Sequence, residues 1–87
     1  MIPIKKEVMA LLKHLLEGPY RAHGGQKRLC ADLGISHKTL YRWRDPDGTG
    51  IRSDNLQRLY DVAEMNCLDI VAIREEVRRA SDDDKDQ

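Results

Sequence analysis

Ile4, Val8, Leu11, Leu12 and Leu15 recur three or four positions apart, and Gly18-Pro19 ends the run, which predicts a helix from about Pro3 to Glu17. Its apolar stripe needs a covering element. Tyr20 to Gly25 is polar and rich in breakers and reads as a loop. A second helix is predicted from about Gln26 to Leu33, burying Leu29, Cys30 and Leu33. Gly34 follows where a chain leaving a helix commonly takes positive φ. Ser36 is placed to cap a third helix that ends near Arg44, with Leu40 and Trp43 as its buried edge at i, i+3. The dense turn Asp45-Pro46-Asp47-Gly48-Thr49-Gly50 stops that helix. Ser53 is the expected cap of a fourth helix from about Asp54 to Met65, whose Leu56, Leu59, Tyr60 and Ala63 repeat at i, i+3, i+4, i+7. Asn66 is its expected left-handed stop. A fifth helix, from about Asp69 to Ala80, presents Ile70, Ile73 and Val77. No segment alternates as a strand does, so the chain is read as an all-α domain of five helices over residues 1–80. A disordered acidic tail, 81–87, is expected after it.

At 87 residues and 10.0 kDa the chain has room for one core, so its function must lie on one surface or in self-association, not in a large catalytic cleft. With 40% apolar and 34% charged residues and no apolar run near the ~18 residues a membrane span needs, a membrane protein is excluded as an expectation. Lys5, Lys6, Glu7 and Lys13 interrupt the opening segment too often for a secretory signal. Cys30 and Cys67 stand 37 positions apart, a spacing of neither a disulfide framework nor a CxxC site, which points to the reducing cytoplasm. Each is read as a small buried apolar residue.

Charge changes the picture when counted by segment. From Arg21 to Arg58 eight Lys and Arg face four acids, a surplus of four, whereas from Leu59 to Gln87 four bases face nine acids. The net zero therefore hides a basic middle and an acidic end. His14, His23 and His37 form no metal-ligand spacing, and no cofactor is expected. Gly24-Gly25-Gln26-Lys27 lacks the spacing and preceding strand of a nucleotide loop. Cys30 lies on the buried side of its helix, where a nucleophilic thiolate is disfavoured. No catalysis is expected.

The informative stretch runs from Gln26 to Arg44. Two short helices separated by only Gly34-Ile35-Ser36 cannot lie antiparallel and must cross steeply, with Ile35 plugging the turn. On the third helix Leu40 and Trp43 face inward, Trp43 as core and not as a stacking platform. His37, Lys38, Tyr41 and Arg42 share the opposite face. That face is free of acids, and each member can hydrogen-bond, although Tyr41 suits a solvated position equally well. Such a helix fits the major groove of B-DNA, where Arg or Lys can bond guanine O6 and N7.

These residues resemble the helix-turn-helix transcriptional regulators of the phage repressor and Cro type, the lambda repressor-like domains. The match is carried by Gln26, Leu29 and Leu33, the turn Gly34-Ile35-Ser36, Leu40 and Trp43, then Ile51 to Leu56 and Leu59 to Ala63. It extends over about Gln26 to Ala80. Cys30 stands where that family usually has Ala. The resemblance implies a phage or bacterial regulator that binds double-stranded DNA, acting as repressor or activator. It implies that Gln26 caps the second helix against a phosphate and that Ser36, His37, Lys38, Tyr41 and Arg42 face the groove, with Arg42 the foremost base reader. Lys27, Arg44 and Arg52 are placed as phosphate clamps. A homodimer is expected, a tetramer being the variant. The fifth-helix stripe either mediates self-association or closes the core against the first helix. The rival reading is a helical adaptor, antitoxin or inhibitor that binds protein through the same domain.

Overall fold

The computed structural model describes residues 4–48 and 50–85, with side chains as far as residue 80. Among the described residues there are five helices and no strand: α1 (Ile4–Glu17), α2 (Gly25–Leu33), α3 (His37–Arg44), α4 (Ser53–Met65) and α5 (Ile70–Lys85). The all-α reading is therefore correct. Helix α1 is the hub and touches each of the other four. Its Leu11, Leu12 and Leu15 are fully buried, Val8 nearly so, and they meet Leu29 and Leu33 of α2, Leu40 and Trp43 of α3, and Leu59, Val62 and Ala63 of α4 in one core. Ile4, expected on the same stripe, is the first residue of α1 and more than half exposed.

The stripe of α5 belongs to that core. Ile73 and Val77 are buried within the chain and Ile70 packs against the cluster, so of the two readings the closing of the core against α1 is the one observed. Helices α3 and α5 both lie on α1 without touching each other. Helix α5 also runs on to Lys85, past the predicted end at Ala80. No glycine or proline follows Ala80 to stop it, so the backbone of 81–85 is helical where a disordered tail was predicted. Residues 86 and 87 of that tail lie outside the described residues.

Three local expectations are corrected. Ser53 is the first residue of α4 and not its cap; Arg52 takes the cap position through its backbone, its carbonyl accepting from Leu56 N–H at 2.8 Å. Asn66 is not left-handed, since its φ is −97°, and the left-handed residue is Cys67 at φ +60°. Leu68 N–H bonds the Ala63 carbonyl and Cys67 N–H that of Glu64, each at 3.0 Å, the paired 6→1 and 5→2 pattern of a Schellman ending. Cys67 is accordingly exposed, whereas Cys30 is buried as expected. Asp69 then caps α5, its carboxylate accepting from Ala72 N–H at 3.0 Å.

A buried carboxylate holds α5 in place. Glu7 of α1 is almost wholly enclosed, and it accepts from the Tyr60 hydroxyl at 2.9 Å and from the Arg74 guanidinium. Arg74 also donates to Tyr60 Oη at 3.0 Å and lies over its ring, 5.3 Å from the centroid. Burial first, then the hydrogen bond to Glu7, raises the pKa of the Tyr60 phenol, while Arg74 opposes the rise. The hydrogen bond to Glu7 in turn keeps the Arg74 guanidinium more firmly charged.

Candidate nucleic-acid interface

The turn that sets α3 against α2 is built from backbone geometry. Gly34 has φ +71°, and Ile35 N–H reaches the Cys30 carbonyl at 2.9 Å while Gly34 N–H reaches that of Ala31 at 3.2 Å. Ile35 is half-buried and packs on the core. A second reason for glycine was invisible in the sequence. Arg58 of α4 donates to the Leu33 carbonyl at 3.3 Å, and a Cβ on Gly34 would run into that guanidinium. The start of α2 depends on glycine too: Gly24 is left-handed at φ +81°, and any side chain on buried Gly25 would overlap the Tyr20 carbonyl.

Ser36 caps α3 as expected. Its hydroxyl accepts from Thr39 N–H at 3.2 Å and lies 3.1 Å from Thr39 Oγ1, so the oxygen is engaged in the first turn of the helix. Leu40 and Trp43 anchor the buried edge at 2% and 4% exposure. That anchorage turns His37, Lys38, Tyr41 and Arg42 outward, all exposed, Tyr41 at 64%. Among the described residues none of these four side chains makes a hydrogen bond or ion pair. Four side chains able to hydrogen-bond thus stand on a single helix face that carries no carboxylate of its own.

The far end of α3 is tied down from two sides. Lys5 of α1 donates to the Arg42 carbonyl at 2.7 Å. Asp47 N–H bonds the Asp45 carboxylate at 3.0 Å and Gly48 N–H the Asp45 carbonyl at 2.9 Å, which folds the loop so tightly that a Cβ on Gly48 would strike the Arg42 carbonyl. The sequence announced this turn but not its contact with α3. Thr49, within it, lies outside the described residues.

Of the expected phosphate contacts, Gln26, Lys27 and Arg44 come together and Arg52 does not. A cleft of about 540 Å³ between the end of α1, the start of α2 and α3 is lined by Glu17, Arg21, Gln26, Lys27, His37 and Arg44, among others. Arg21 was not singled out from the sequence, because it sits in a loop with no periodicity to place it. Gln26 is the second residue of α2, so it does not cap the helix. Gly24 occupies the cap and makes no side-chain bond to the first turn of α2, and the Gly25 N–H is taken up by the Ala22 carbonyl at 2.9 Å. Arg52 stands apart at the cap of α4, 3.9 Å from the Asp54 carboxylate with both side chains well exposed.

The thiol of Cys30 is pushed up by burial, the direction that disfavours a thiolate. His14 contacts Glu76 at 3.1 Å, joining α1 to α5, and among the described residues no group of His, Cys, Asp and Glu could hold a metal ion. No described helix is long and apolar enough to cross a membrane. Compared with known proteins, the chain matches no family model, no curated protein and no solved structure.

Proposed function

We propose that this chain is a sequence-specific double-stranded DNA-binding regulator of the helix-turn-helix type, which lays α3 in the major groove. The observation that carries the reading is the acid-free outer face of α3, whose Lys38 and Arg42 are exposed and unengaged while Leu40 and Trp43 fix the helix from behind. Arg42 reads a guanine, Lys38 and His37 add donors, and the Tyr41 ring meets apolar base edges. Ser36 contributes by capping the helix that presents them. Gln26, Lys27, Arg44 and Arg21 line one cleft at the start of α2, three cations and an amide against the single carboxylate of Glu17, a balance that suits a phosphate. Arg52 contributes a more distant charge.

Two copies bound side by side would read half-sites about 34 Å apart. A body of 39 × 26 × 24 Å fits within that spacing when its shorter axes lie along the DNA. A reducing cytoplasm suits the two free cysteines. The exposed Tyr41 ring is the one feature of α3 that also favours a protein partner.

Selection on random duplexes tests the reading. The wild-type chain should enrich a defined motif, and Arg42→Ala should relax one position of it at a cost of about 1–3 kcal/mol in discrimination. With roughly six phosphates neutralised by a pair of copies, log K should fall against log[salt] with a slope near −5. Absence of any enriched motif at low salt would overturn the assignment, and unchanged selectivity in Arg42→Ala would remove Arg42 from its role.

A further inference from the structure

Two surfaces away from the outer face of α3 carry opposite net charge around apolar groups, half-buried on one and exposed on the other. The first is a groove of about 430 Å³ between α1 and the end of α3, floored by Met9, Ala10 and Leu16 and edged by Lys13, Glu17 and Arg44. Lys13 and Arg44 are exposed, and among the described residues neither makes a hydrogen bond or ion pair. The second is the corner between α4 and α5. There the left-handed Cys67 ends α4 abruptly, and Met65 and Val71 on either side of the turn are 81% and 75% exposed. No basic residue occurs between Arg58 and Arg74, whereas Asp61, Glu64 and Asp69 are all exposed around this corner.

We propose that the α4–α5 corner of one copy docks into the α1–α3 groove of a second copy, Met65 and Val71 meeting Met9, Ala10 and Leu16 while Glu64 faces Lys13. Charge selects the occupant. An acid-edged knob and a base-edged groove attract, while corner against corner would bring carboxylates together. A net charge of zero also removes the long-range repulsion that holds like-charged copies apart. Because knob and groove are different surfaces, the contact is head-to-tail, so each added copy still offers one free surface. The covered stripe of α5 plays no part in it. The patch is small, so the association is weak in free solution and is strengthened when neighbouring copies are held on a common scaffold. The groove shares Glu17 and Arg44 with the cleft assigned to a phosphate, so the contact is tested without DNA.

Sedimentation velocity without DNA, from about 10 µM to about 1 mM, is the test, since small interfaces associate in that range. The wild-type chain should show a mass that rises with concentration and falls back as salt is added. Lys13→Glu and Glu64→Lys should each weaken association by about tenfold or more, and the two combined in one chain should restore it. Met65→Gln, which leaves the charges alone, should weaken it as well, and circular dichroism should show each variant folded. A monomer at every concentration at low salt overturns the proposal. So does association that both single charge reversals leave intact, or that the double variant fails to regain. Because no DNA is present, these outcomes are independent of the selection on random duplexes.

Discussion

The phenols of Tyr20 and Tyr60 show how much a single side chain can join. Tyr20 donates to Asp32 at 2.6 Å, accepts from Asn66 Nδ2 at 3.3 Å and lies under Arg28, so one hydroxyl fastens the loop before α2 to both α2 and the end of α4. Burial, and then the bond to Asp32, raises the pKa of Tyr20, and burial with the bond to Glu7 does the same for Tyr60. Because folding raises both values, the stabilisation is complete below the ordinary phenol value of 10.0 and is lost as pH rises through the folded-state values. Melting temperature should thus fall as pH rises above about 10, and Tyr60→Phe should melt lower at neutral pH but decline less steeply on the alkaline side. Parallel alkaline slopes for the two proteins would show that the Tyr60 hydroxyl is not the titrating group. Neither tyrosine was legible as a linchpin. Its partners stand 12 to 53 positions away, and spacing along a chain carries no information about them.

Among the elements, α2 and α4 finish in the same way with different residues. Both close with a left-handed position and the paired 6→1 and 5→2 bonds, but α2 uses Gly34 and α4 uses Cys67. The first ending was legible because glycine after a short amphipathic run has a local physical cause. The second was not, for Asn66 is the better left-handed residue by type and the chain turns one position later. There the Asn66 side chain instead donates to the Val62 carbonyl at 2.8 Å and to the Tyr20 hydroxyl at 3.3 Å, while its own φ stays at −97°. Opposite outcomes follow for substitutions at the two sites. Cys67→Gly should stabilise the fold by about 0.5–1 kcal/mol, the left-handed strain relieved exceeding the chain entropy that glycine loses on folding. Gly34→Val should destabilise it by about 2 kcal/mol or more, through both the backbone strain and the collision with Arg58. Urea titrations measure both, and equal midpoints for Gly34→Val and wild type would contradict the turn as described. The outer face of α3 was legible for the same local reason: Leu40 and Trp43 lie at i, i+3, and whatever is left must face out.

For the molecule as a whole, the sequence resolved the number of helices and the basic middle, yet it left α5 undecided between two roles. The burial of Ile73 and Val77 decides it, and Glu7, a carboxylate inside an otherwise apolar stripe, adds partners that lie 53 and 67 positions downstream. Read alone it interrupts a pattern; in the fold it is the anchor for α4 and α5. Replacing Glu7 by Ala should cost about 1–3 kcal/mol, less than the loss of a fully buried ion pair because Arg74 is left half-exposed to water. Hydrogen exchange should show the loss concentrated in α5, whereas uniform loosening of all five helices would mean that the triad does not act locally.

The hub position of α1 has a consequence for synthesis on the ribosome. The segment made first among these helices is the one that needs all the others, and Glu7 waits for Arg74, 67 positions later. At ordinary translation speeds that interval is roughly 3 to 13 s, during which the oily side of α1 has nothing permanent to lie against. The nascent chain is thus exposed to chaperones and to its neighbours until the last helix has emerged, and only then can the whole body assemble in one step.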